Sequence, residues 1–162
     1  MDQINLVQPV ARRLKPTRWY APWFEVNRAR LLQERQVMAE KFPQFQLFLN
    51  GEVLSWVGDL TSNRNNRYVV QVVYPAQFPY KAPLVYPQDP VIQVNDMQNP
   101  GRYKHQYPDG HLCLYYPGDG TFSPNTTAAA VVAVTAAWFF AYESWVESGY
   151  RNWPGQEAPE PV

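Results

Sequence analysis

The sequence of 162 residues contains one cysteine, two histidines and no net formal charge. A single cysteine excludes an intramolecular disulfide framework and a zinc site built from cysteine alone. His105, His111 and Cys113 would make at most a thin three-ligand set, so no metal and no cofactor is expected. The 14 basic residues balance the 14 acidic ones, which speaks against bulk electrostatic binding of nucleic acid. Charged residues are few, at 17% against 46% apolar, which excludes a disordered chain. The start, Met1 to Asn5, lacks the basic-then-apolar build of a signal peptide, so a cytoplasmic location is expected. No apolar run reaches the roughly 20 residues that a bilayer requires. The longest, 128–142, is about 15 residues and runs into Glu143, so it reads as a buried central helix and no membrane partner is expected.

What is abundant is proline, with sixteen residues, nine of them from Pro75 to Pro124. Proline breaks helix interiors and cannot donate to a strand ladder, so regular structure is expected in the proline-free stretches 23–42, 44–74 and 125–153. Phe24, Leu31, Leu32, Val37 and Met38 form a helical apolar stripe in the first, ended by Pro43. In the second, Phe45, Leu47 and Leu49 alternate with other residues, and Asn50-Gly51 supplies a hairpin turn with both residues at positive φ. Val53 to Val57 returns, and the β-branched and aromatic run Tyr68 to Tyr74 adds a third strand. A short fourth strand is expected at Leu84 to Tyr86. The third stretch is the apolar helix, expected to start at Ser123-Pro124 and to run to about Glu147. The order is that of a segregated α+β domain spanning 1–162, with a basic N-terminal extension (1–22) and a short Pro/Glu-rich tail (153–162).

A long irregular segment inside a compact domain usually carries function. Here it holds Cys113 in a stretch, Tyr103 to Pro117, with two histidines, an aspartate, a glycine and four tyrosines, a polar and aromatic setting rather than an aliphatic one. Phe78-Pro79-Tyr80-Lys81-Ala82-Pro83, then Gly110-His111-Leu112-Cys113-Leu114, then Phe122-Ser123-Pro124 follow in order. In these motifs, over about residues 25 to 147, the chain resembles the ubiquitin-conjugating (E2) family. Its basic start and short end resemble the bacterial E2-like proteins of cyclic-oligonucleotide-based anti-phage (CBASS) operons. The resemblance implies a four-stranded antiparallel meander with an N-terminal helix and a buried central helix, lacking the C-terminal helices of eukaryotic members. It also implies an enzyme in which Cys113 takes the C-terminus of a partner protein, a cyclase or ubiquitin-like protein, as a thioester. The acyl group then passes to an amine on a protein or a small molecule, with an activating enzyme as a further partner. Tyr103-Lys104-His105 stands where the family has His-Pro-Asn, so His105 replaces the family's Asn.

In that frame His105 is a candidate oxyanion donor or general base, or alternatively a turn cap. Asp109 reads first as a turn residue before Gly110 and second as an aid to amine activation. Tyr107 and Tyr115 either line a groove for a donor tail or simply pack. His111 is expected to point away from Cys113 across an extended piece, in a structural role. Arg28 and Arg35, with Arg30 and the preceding Arg12, Arg13, Lys15 and Arg18, form a candidate docking surface for an acidic protein, or a solvated face. Tyr80 matches the position where E2 proteins touch partners. Two other functions stand beside this one: a non-catalytic E2-like or RWD-like binding module, and a Cys-His hydrolase, which lacks an evident orienting third residue.

Overall fold

The computed structural model describes residues 21–94, 104–115, 118 and 120–154. Arg12, Arg13, Lys15, Arg18, Tyr103 and most of the two terminal extensions lie outside the described residues.

The first helical stretch is two helices, α1 (Trp23–Val26) and α2 (Arg28–Lys41). They part at Asn27, whose side chain accepts a hydrogen bond from the Arg30 amide at 3.1 Å and so caps α2. The expected apolar stripe holds only in part. Phe24 and Met38 are buried, but Leu32 is 56% exposed. The positions that α2 buries beside Met38 are Arg30 and Glu34, one helical turn apart.

Strands β1 (Gln46–Asn50), β2 (Val53–Thr61), β3 (Arg67–Val73) and β4 (Leu84–Asp89) form one antiparallel sheet in sequence order. Asn50 pairs with Val53, so the central turn residues are Gly51 and Glu52 rather than Asn50 and Gly51. Only Gly51 has positive φ, at 61°. Gly58 lies under the Phe45 ring, where a Cβ would come within 2.5 Å of it, so no larger residue fits there. β4 is longer than expected and tolerates Pro87 because it is an edge strand with an irregular register at Val69/Val70.

Helix α3 (Ala128–Glu147) ends as expected but starts four residues later than Pro124. Thr127 is its cap, accepting from the Ala130 amide at 3.2 Å, while Ser123 to Thr126 close a separate turn. By length and composition alone α3 is long and apolar enough to cross a membrane, yet half of its most apolar 18-residue window is buried inside the protein. Phe139 stacks on Tyr68 with centroids 4.1 Å apart, placing α3 over the inward face of β3. Near its end, buried Glu143 accepts hydrogen bonds from Ser62, Asn66 and Tyr68, tying α3 to the β2–β3 loop.

At the start of α3 a second buried carboxylate, Glu34, joins three elements. Its Oε1 accepts from the Ala128 amide at 2.8 Å and from the Tyr74 hydroxyl at 3.0 Å. Tyr74 in turn accepts from Trp56 Nε1 at 2.8 Å. Arg30 donates to the carbonyls of Pro124 and Thr126, and its guanidinium lies 4.8 Å above the Phe78 ring. Between the pair, Arg30 Nε and Glu34 Oε2 are 3.4 Å apart, an ion contact without a well-formed hydrogen bond. Burial pushes the Glu34 carboxyl up from its ordinary 4.5, against the opposing pull of the Ala128 amide, Tyr74 and Arg30.

Removing one partner leaves the other as a lone buried charge. Arg30→Ala is therefore expected to destabilise the fold by about 3–5 kcal/mol, read from urea unfolding. The raised Glu34 value means that the folded state binds this proton more tightly than the unfolded chain does. Stability is thus fully present below 4.5 and diminishes as pH rises through the folded value. Glu34→Gln is expected to lack that slope when the two proteins are compared across the interval.

Candidate active site

Cys113 sits on a small hairpin at the edge of the sheet. Gln106 pairs with Leu112, Tyr107 donates to the His111 carbonyl at 2.8 Å, and Cys113 donates to the His105 carbonyl at 3.0 Å. Asp109-Gly110 makes the turn, with Gly110 at a φ of 100° that favours glycine. Leu112 donates to the Val85 carbonyl at 2.9 Å, which fastens the hairpin to β4.

Pairing in this register divides the hairpin into two faces. Gln106 and Leu112 point inward and are 0% and 3% exposed. Gln106 was missed by the sequence reading because a glutamine carries no apolar signal. Its side chain nevertheless holds the site: Oε1 accepts from the Val94 amide at 2.7 Å, and Nε2 donates to Ile92 and Gly110 carbonyls at 2.8 and 2.9 Å. Tyr107, His111 and Cys113 are half-buried on the outer face. His111 therefore shares a face with Cys113, contrary to expectation. In an extended chain residues two apart lie on the same side, and it is Leu112 between them that turns away.

His105 stands at the end of this row but leaves it. Its backbone is left-handed, with φ of 55°, and its ring is 7% exposed beneath Trp153, stacked at 4.2 Å. The ring expected to serve the reacting centre is thus packed against a residue after α3. The His105 carbonyl does the visible work, accepting from Cys113 and from Trp138 Nε1 at 2.9 Å.

The polar chemistry on the outer face gathers at Asp109 and His111. Asp109 Oδ1 lies 2.5 Å from His111 Nδ1 and accepts from the His111 amide at 3.1 Å. Oδ2 accepts from the Tyr86 hydroxyl at 3.1 Å. Partial burial acts to raise the Asp109 pKa, but these bonds and the histidine outweigh it, and the net direction is down. Tyr107 stacks on the His111 ring at 4.0 Å, 12° from parallel. Burial raises the Tyr107 phenol, and the nearby Cys113 and Asp109 raise it further.

The remaining candidates lie elsewhere. Tyr115 packs edge-on to Phe122 at 5.4 Å and against the core. Tyr80 is 78% exposed and so does not pack. Arg28 and Arg35 are exposed on α2, but Arg30 is buried and unavailable to a partner.

A family model described as type II CBASS E2 protein matches residues 34–161. Among solved structures, the chain is similar to the crystal structure of a ubiquitin conjugating enzyme E2 from Plasmodium falciparum. The identity is 19%, 67% of this chain and 94% of that chain are covered, and the TM-score is 0.45. No curated protein matches the sequence.

Gln106→Ala would strand the Val94 amide and two carbonyls in the interior. The expected cost is about 2–3 kcal/mol of stability, with faster hydrogen exchange at the amides of Leu112 and Cys113.

Proposed function

The chain belongs to the type II CBASS E2 family, and from that premise we propose that it is a conjugating enzyme with Cys113 as its acyl carrier. The observation that carries this reading is the thiol's placement. Cys113 is half-buried on the outer face of a hairpin whose inner face is fully packed, within the segment that matches the family. A thiol held at the edge of the sheet is open to a protein tail while its backbone stays fixed.

The thiolate attacks the activated C-terminal carbonyl of a donor protein, the activating group leaves, and a thioester forms on Cys113. An amine then attacks that carbonyl, and the thiolate leaves in turn. Sulfur suits both steps because it is a good nucleophile and a good leaving group. The donor is a cyclase or ubiquitin-like protein, the acceptor a protein or small amine, and the setting bacterial anti-phage defence in the cytoplasm. We assign one domain, 1–162, to this role. His105 supports it as a positioning residue: its left-handed turn and carbonyl hold the Cys113 strand, and its ring rests on Trp153. On this reading His105→Asn leaves the shape of the pH–rate profile unaltered. Exposed Arg28 and Arg35, with Tyr80, offer a docking surface for an acidic protein.

Mixed with its genomic neighbours and an activating enzyme, the protein is expected to give a thiol-sensitive adduct on a non-reducing gel. Cys113→Ala removes the adduct, and Cys113→Ser converts it to an ester that resists thiols. Absence of any adduct would favour a binding module. Complex formation with the activating enzyme is expected to weaken several-fold as salt rises from low to physiological strength. Salt-insensitive binding would remove Arg28 and Arg35 from the interface.

A further inference from the structure

Resting on the carrier reading above, we propose that His111, oriented by Asp109, is the proton acceptor that drives transfer from Cys113 to an amine. The case begins with geometry. Residues two apart on an extended strand are spaced about 6.6 Å, so His111 and Cys113 are neighbours on one face.

The ring is held by Asp109 and by Tyr107. Asp109 Oδ1, an ionised and therefore accepting oxygen, accepts a hydrogen bond from Nδ1–H, which fixes the tautomer and leaves Nε2 as the acceptor. Asp109 is itself fixed, by the His111 amide on Oδ1 and the Tyr86 hydroxyl on Oδ2. Tyr107 sets the plane of the ring by stacking. The titratable groups around His111 are thus Asp109, Tyr107 and Cys113 from the hairpin and Tyr86 from β4. The carboxylate is the group that stabilises the imidazolium once it forms, as in other His–carboxylate pairs.

In the step itself the amine nitrogen bonds to the thioester carbonyl carbon as its proton passes to His111 Nε2. The tetrahedral intermediate collapses, the carbon–sulfur bond breaks, and the Cys113 thiolate leaves. The proton on His111 then moves to that thiolate. The products are an amide and the starting thiol and imidazole. Asp109 is a positioning residue in this scheme, and His111 touches the reacting atoms.

The test loads Cys113 by exchange with a short peptide α-thioester ending in glycine and offers free L-lysine as acceptor, with intact-mass readout. In the unmodified protein, single-turnover aminolysis is expected to rise with pH along a single inflection. His111→Gln should load normally but transfer about 10²-fold more slowly and lose that inflection. Asp109→Asn should slow transfer about tenfold and keep the inflection, displaced. Added imidazole should restore part of the rate in His111→Ala, which a purely structural role would not allow. A His111→Gln protein that transfers at the unmodified rate with the same profile overturns the inference and leaves the carrier reading standing. Failure of Cys113 to load, or loss of the thioester to water with no lysine product, overturns the carrier reading itself.

Discussion

The fold hangs on a charge pair where a helix would ordinarily present leucines. Arg30 and Glu34 are 9% and 1% exposed, and between them they bond Pro124, Thr126, Ala128 and Tyr74. Every one of those partners belongs to another part of the chain. The carboxylate serves as a remote cap for α3, taking an amide of its first turn, where negative charge is favoured by the helix dipole. The guanidinium takes the two carbonyls of the preceding turn in a fork that lysine would not reproduce. A hydrophobic pair of the same volume would fill the space, but it would leave the Ala128 amide and those carbonyls unsatisfied. The cost of burying the charges is offset by directional bonds that fix where α3 begins.

That start matters because α3 also sets the height of the cysteine hairpin. Further along the helix, Trp138 donates to the His105 carbonyl, the same oxygen that receives the Cys113 amide. The hairpin is therefore held by α3 on one side and by Val85 of β4 on the other. Gln106 closes the inside with bonds to the Ile92–Val94 segment. A reacting group on a short excursion from a sheet is precise only if its support is rigid, since small displacements cost large factors in rate. Here the packed inner face supplies the rigidity that the proposed chemistry on the outer face requires.

Where a residue's partners lie close in the chain, or a period of two runs unbroken, the sequence was legible. The meander was clear from Leu47 to Tyr74 because apolar residues alternate and polar turns interrupt them. The end of α3 and the turn at Asp109-Gly110 were equally clear. Arg30 and Glu34 were not, because a hydrophobic-periodicity argument assigns charges to the solvent side, and their partners lie about 90 residues away. The start of α3 was misplaced because Ser123-Pro124 and Thr127 are both sound helix openings, and only the distant Glu34 decides between them. Gln106 looked like a loop residue for the same reason. His111 was assigned to the wrong face by an error of parity rather than by any lack of signal, since the alternation about Leu112 was there to be read.

The resemblance to E2 proteins that sets His105 where an Asn is expected takes on a different meaning in this light. A histidine in place of the family's Asn suggests a change of chemistry at that position. Yet the left-handed backbone carries the ring inward, where Trp153, itself against Trp138 and Trp145, covers it. An aromatic side chain packs well there, and an asparagine would bury an amide with no stacking surface to offer. The polar side chain that position 105 does not offer to the outer face is found six residues on. His111 is half-buried and held by a carboxylate, and Cys113 shares its face. On the proposed reading, a hairpin with one histidine built into the core and one on the face of the thiol keeps support and proton transfer on separate residues, so that each can be tuned without disturbing the other.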